Sequence, residues 1–342
     1  MKRFCSTLLI LCFLLSLCAC GKPDRVRDFS DDTQSTTLPS NQATNSSETL
    51  QTEIVQTTSS ITPILYKVTD QNGNVVWLFG SIHVGQEHYY PLPDYITSAY
   101  ENADALAVEC DVVAFSSDIG AQTDALMQLV YLDGSRISAH VPEELYTQAV
   151  EILKECGLYM SALDMYYPVL WSNFIDTSLY ESFGVDSNLG LDMHFLNDAH
   201  GTGKEILEVE SVEFQYGMMG SFSEELQVLL LESSIYSYEN PEESRQQLTE
   251  LADAWAAGDE ETLVALLNEE PEFESKEEVL LYAEYNNAML TQRNLSMADY
   301  AEASLTSGKE VFICVGAAHV VGPGAMAELL AQRGYTVERI AP

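Results

Sequence analysis

Five consecutive apolar residues, Val311-Phe-Ile-Cys-Val315, have the composition of a strand covered on both faces, which commits the chain to a sheet layered between other elements. Gly316 then breaks the run, and His319 follows in Gly-Ala-Ala-His. The same device occurs near the other end of the folded part. There Val75-Val-Trp-Leu-Phe79 is the strand, Gly80 the break, and Gly-Ser-Ile-His delivers His83. Two further strands run into carboxylates: Ala105 to Val108 ends at Glu109, and Glu205 to Val209 ends at Glu210. In a parallel α/β sheet the carboxyl ends of the strands open on one side. The expectation is therefore a shared centre of two imidazoles and two carboxylates.

The order of elements supports an α/β class with a central, largely parallel sheet. Leu65 to Thr69 and Val75 to Phe79 flank Asp70-Gln-Asn-Gly-Asn74, an amino-terminal hairpin with Asn-Gly at its turn. Pro91-Leu-Pro-Asp opens a helix that leads into the Glu109 strand, the crossover a parallel pair requires. Long-period apolar patterns predict helical insertions over about 118–183 and 220–305, the second strongly acidic. Gly190 to Gly203 reads as a helix closed by glycine before the Glu210 strand. A helix from Ala325 to Arg333 and a strand from Tyr335 to Ile340 complete the chain.

Ahead of this body, Met1-Lys-Arg, the apolar Leu8 to Leu17 and Leu17-Cys-Ala-Cys20 read as an export signal over 1–20. The Leu-x-Ala-Cys ending resembles a bacterial lipobox, which implies cleavage before Cys20 and lipidation of its thiol, anchoring the protein on the extracytoplasmic side of a membrane. Residues 21–60 are a polar tether, too poor in large apolar groups to offset the entropy of ordering. The domain proper is 61–342. Beyond the signal and Cys20, only Cys110, Cys156 and Cys314 remain, an odd set with no CxxC pair, so neither a full disulfide framework nor structural zinc is expected. Fifteen basic residues against 53 acidic ones give a net charge of −38, a field that repels nucleic acid.

The chain has no Gly-x-Gly-x-x-Gly, Walker loop, His-Glu-x-x-His or Gly-x-Ser-x-Gly. His88, His140, His194 and His200 read as structural residues. Phe79-Gly-Ser-Ile-His-Val-Gly85, Asp104-Ala-Leu-Ala-Val-Glu109, Gly190-Leu-Asp192, Val209-Glu-Ser-Val-Glu-Phe-Gln215, Gln292-Arg-Asn294 and Val315-Gly-Ala-Ala-His-Val-Val-Gly322 follow one another in the order seen in the TraB/GumN family. On these blocks the chain resembles that family over Ile61 to Ile340, with Val-Glu-Ser standing where Leu-Glu-Thr is usual.

The resemblance implies kinship with Tiki metalloproteases and with pheromone-shutdown proteins of the PrgY type. More distantly, it implies a core like that of erythromycin esterases and haem-uptake proteins of the ChaN type. It also implies an active centre of His83, His319, Glu109 and Arg293. Chemistry then gives the expectation that His83, His319 and one of Glu109 or Glu210 hold a divalent ion such as Mn, Co, Fe or Zn, with the other carboxylate as general base. Arg293 would face a developing oxyanion or grip a substrate carboxylate. The reaction expected is hydrolysis of extracellular peptides. The alternatives are a metal-free hydrolase using histidine and glutamate, and a lipoprotein that binds peptides without cleaving them.

Overall fold

The computed structural model describes residues 61–341, so Cys20, the signal and the tether lie outside the described residues. Six strands form one sheet: β1 (Leu65–Thr69), β2 (Val75–Ser81), β3 (Ala105–Val108), β4 (Glu205–Glu208), β5 (Val311–Gly316) and β6 (Thr336–Ile340), in the order β4-β3-β5-β2-β1-β6. β2, β3, β4 and β5 pair in parallel, and β1 runs against both β2 and β6. The sheet is thus parallel apart from β1, whose reversal follows from the hairpin. In that turn Asp70 accepts from the N–H groups of Asn72 and Asn74, each at 2.8 Å, and Gly73 takes a φ of +87°. Only glycine adopts that angle without strain.

β5 lies between β3 and β2 and is buried along its whole length, as the unbroken apolar run requires. Phe79 and Phe312 stack at 5.8 Å and meet Phe195 and Tyr100 from the helices Leu191–Thr202 and Asp94–Asn102. Each such ring contributes about 1.5–3 kcal/mol through burial. Trp255, on the helix Pro241–Ala257, packs edge-on against Phe79, and its indole N–H donates to the Gly80 carbonyl at 2.7 Å. That bond fixes the end of β2, where the chain turns toward His83.

The insertions are helical as expected, with Ile119–Met127, Glu143–Glu155 and Pro168–Ser182 in the first and Glu224–Glu239, Pro241–Ala257, Glu260–Leu267 and Lys276–Asn286 in the second. A π-helical turn, Asn287–Thr291, joins the last of these to Gln292–Ser307. A separate nucleus that includes Ile137, Leu145, Leu153, Trp171, Ile175, Leu231 and Ile235 lies between the insertions, distinct from the core under the sheet. The structure adds a short helix, Val112–Ser117, directly after the β3 carboxylate. Boundaries shift by one or two residues: β2 reaches Ser81, β4 ends at Glu208, β6 begins at Thr336 and the last helix spans Met326–Gln332. Cys110, Cys156 and Cys314 are free thiols.

Candidate functional site

The carboxyl ends of β2, β3, β4 and β5 point the same way, and the residues that follow them meet. Glu109 leaves β3 with its Oε1 accepting the Gly316 N–H at 2.8 Å, which ties it to the end of β5. Its Oε2 receives Arg293 Nη2 at 2.6 Å. The same guanidinium donates to Glu210 through Nε at 2.9 Å and Nη2 at 2.8 Å, and Nη1 reaches the Met289 carbonyl at 3.3 Å. Gln215 Nε2 bridges both carboxylates, at 3.2 Å to Glu109 and 3.0 Å to Glu210. Arg293 is only 4% exposed. It therefore acts as a clamp between two glutamates, its donors already engaged, rather than as a free hook for a substrate carboxylate.

Close backbone approaches place the histidines. A Cβ on Gly80 would lie 3.0 Å from Ala317 Cα, so the missing side chain lets the His319 turn settle against β2. His319 Nδ1 meets Asn294 Oδ1 at 2.7 Å, and Asn294 Nδ2 donates to the Gly324 carbonyl at 3.0 Å. The second bond sets which end of the amide is oxygen, so the imidazole carries its proton on Nδ1 and presents a bare Nε2. That nitrogen lies 4.0 Å from Glu109 Oε1, acceptor facing acceptor. Burial and the nearby Arg293 push the His319 pKa down to about 3, so this is not an ion pair at neutral pH.

His83 sits on a loop that presses on the turn before Leu191–Thr202. A Cβ on Gly85 would fall 1.7 Å from the Leu189 carbonyl oxygen, and one on Gly190 would fall 2.5 Å from the His83 carbonyl oxygen. Only glycine at both places allows the contact, and it brings Asp192 beside the imidazole, with Oδ1 3.5 Å from Nδ1. That spacing is electrostatic contact short of a formed hydrogen bond. Burial lowers the His83 pKa, but the Asp192 and Glu109 charges outweigh it and the net shift is upward. For Glu109 burial favours the neutral acid, yet Arg293, both histidines and the Gly316 N–H hold its carboxyl well below the usual range. The Cys110 and Cys314 thiols are both pushed up, chiefly by burial, which removes them as thiolate nucleophiles.

Between these groups is a cavity of about 30 Å³, bordered by Ser81, His83, Glu109, Asp192 and Gln215 with a partly apolar wall. Such a volume accommodates one or two water-sized groups. Of the sequence-derived residues, His83 and Glu109 line it; outside it Arg293 holds Glu109, Glu210 shares that guanidinium, and His319 Nε2 faces Glu109 Oε1 at 4.0 Å. Ser81, Asp192, Gln215 and Asn294 are the residues that reasoning from strand ends missed. Each sits inside or at the edge of one of the ordered blocks, and that was the available signal.

The donor set also bears on the expected metal. His319 Nε2 and Glu109 Oε1 form an acceptor pair, but among the described residues no group of three or more His, Cys, Asp or Glu is placed to hold an ion. Arg293 moreover occupies the second Glu109 oxygen and both of Glu210. As arranged, these side chains do not make a metal cage.

Fold and site define an α/β protein with a buried histidine and carboxylate centre at the carboxyl edge of a nearly all-parallel sheet. The chain belongs to the TraB/PrgY/gumN family, whose pattern it matches over residues 64–339. It is also similar to proteins described as "Uncharacterized protein YbaP" in Escherichia coli strain K12 and in Shigella flexneri. Each is 26% identical over 255 residues, covering 74% of this chain and 86% of theirs. No solved structure matches the chain.

Proposed function

We propose that this protein is a hydrolase that cleaves extracellular peptides, held at a membrane by a lipid on Cys20, with His83 handling the proton of the attacking water. One observation carries the reading. Six buried side-chain polar atoms lack a partner among the described residues, and three of them, Ser81 Oγ, His83 Nδ1 and Asp192 Oδ1, belong to residues lining the one 30 Å³ cavity. His83 Nδ1 and Asp192 Oδ1 keep only an electrostatic contact at 3.5 Å, and a polar guest in the cavity would complete the hydrogen bonding that they and Ser81 Oγ lack.

The two imidazoles have opposed proton affinities, which divides the labour between them. His83, raised by Asp192 and Glu109, takes a proton from water and returns it to the leaving amine. His319 stays neutral and offers Nε2 as an acceptor. Glu109 is kept ionised by Arg293, making it a poor base but a fixed negative charge that stabilises the imidazolium formed at His83.

The test is cleavage of a peptide library by the full chain in detergent, with and without prolonged chelation. Activity that survives chelation and falls at least about 100-fold in His83→Ala supports the reading. Stoichiometric capture of intact peptide would instead establish a binding protein. Loss of cleavage on chelation, restored by Mn, Co, Fe or Zn, would favour a metal-dependent reaction built on the His319 Nε2 and Glu109 Oε1 pair.

A further inference from the structure

We propose that Ser135, His140 and Glu224 form a second hydrolytic site, an acyl-transfer centre for small carboxylic esters on the insertion surface. Ser135 Oγ lies 2.7 Å from His140 Nε2, and His140 Nδ1 lies 3.2 Å from Glu224 Oε1. A carboxylate only accepts, so Nδ1 carries the imidazole proton, Nε2 is bare, and the serine hydroxyl donates to it. This is the order of contacts an activated serine needs: nucleophile, base, and a group that orients the base.

Packing fixes the ring as well. Tyr131 stacks on His140 at 3.9 Å with planes 8° apart, and the short turn Ile137–Ala139 sets the spacing between Ser135 and His140. None of this is demanded by burial. Ser135 and His140 are only half-buried and the Glu224 side chain is 60% exposed, so water would satisfy all three separately. In the reaction the backbone N–H of Arg136, which immediately follows the nucleophile, would be the donor offered to the oxyanion. Leu132, 80% exposed, adjoins Tyr131 in sequence, and Met165, 43% exposed, accepts the Tyr131 N–H through its carbonyl at 2.9 Å; these are the apolar side chains that would meet a short acyl group. Asp133 is the competing element. Its Oδ1 accepts the Ser135 N–H at 2.9 Å, and its carboxylate, held below the usual range by the Ser135 hydroxyl and N–H, competes with His140 for the hydroxyl proton.

In the reaction, Ser135 Oγ bonds to the ester carbonyl carbon while its proton passes to His140 Nε2. Collapse breaks the bond to the alkoxy oxygen, and His140 gives that oxygen the proton, releasing the alcohol. Water, deprotonated by His140, then attacks the acyl-serine, releasing the acid and restoring Ser135.

The experiment treats the full chain in detergent with a fluorophosphonate, which forms an Oγ–P bond, expels fluoride and leaves the serine proton on His140. Modified peptides are mapped by mass spectrometry, and hydrolysis of p-nitrophenyl acetate is followed in parallel. Expected are a modification at Ser135, its absence in Ser135→Ala, and a fall of at least about 100-fold in His140→Ala. Glu224→Gln should lower kcat with KM unchanged, and Asp133→Asn should speed labelling by freeing the hydroxyl. An unmodified Ser135 in the wild-type chain, or labelling of His140→Ala at the wild-type rate with its unfolding midpoint preserved, overturns the proposal.

Discussion

Asp176→Asn should make the protein more stable, and by an amount that grows with pH. Asp176 lies on Pro168–Ser182, 1% exposed, with Ser234 Oγ on Glu224–Glu239 donating to Oδ2 at 2.7 Å. Burial pushes its carboxyl up to about 8, and the Ser234 bond offsets only part of that. Because the folded pKa is raised above the unfolded value near 3.8, the folded state binds more protons between those limits. The contribution of the neutral acid is therefore fully present below about pH 4 and lost as pH climbs through about 8. The slope is about 1.4 kcal/mol per pH unit, so from pH 5 to pH 8 the wild type should lose about 4 kcal/mol that the asparagine variant keeps. Asparagine matches the shape and can still bond Ser234, so the two proteins should differ by no more than about 1 kcal/mol at pH 5. Urea unfolding at each pH, read by tryptophan fluorescence, measures the gap. A difference that stays constant from pH 5 to pH 8 would refute the reasoning.

Three other perturbations bear on the site. Arg293→Met strands two buried glutamates and should cost about 3–5 kcal/mol in denaturant unfolding, with much of it recovered when Glu109 and Glu210 are also changed to Gln. Equal stability of the single and triple variants would contradict the clamp. Gly85→Ala drives a methyl into the Leu189 carbonyl, so a loss of about 1–3 kcal/mol or more is expected, together with displacement of His83. A crystal structure with that loop unmoved would count against the close-approach account. Asn294→Asp places a carboxylate against His319 Nδ1 and should raise its pKa by about 1–3 units, followed by nitrogen chemical shifts of the ring.

The frame was legible in the sequence because fully buried parallel strands leave unbroken apolar runs, and a glycine or carboxylate after each run marks where the chain emerges. Val311 to Val315 and Val75 to Phe79 could hardly have been placed elsewhere than at the centre, and β2 and β5 are indeed neighbours. The supporting side chains were not legible from periodicity. Asp192 and Gln215 occupy helical positions where a polar residue reads as solvent-facing, and only the tertiary approach of Gly85 and Gly190 to the neighbouring backbone turns Asp192 inward. Asn294 follows the arginine by one residue, and nothing local shows that its amide holds an imidazole 25 residues on. Arg293, Glu109 and Glu210 were all expected at the site, Arg293 through the family resemblance, but the clamp that joins them was not, because pairing across 184 residues leaves no periodic trace.

The nucleus around Trp171 and Leu231 is a second apolar cluster, and the helices that carry it also turn Leu170 and Leu230 into the core beneath the sheet. Mild alkali should loosen this cluster ahead of that core, since the ionising Asp176 sits in the helix pair that carries the nucleus. Amide exchange would then show one set of protected hydrogens fading ahead of the other, so the reactive edge of the sheet would outlast the helices beside it.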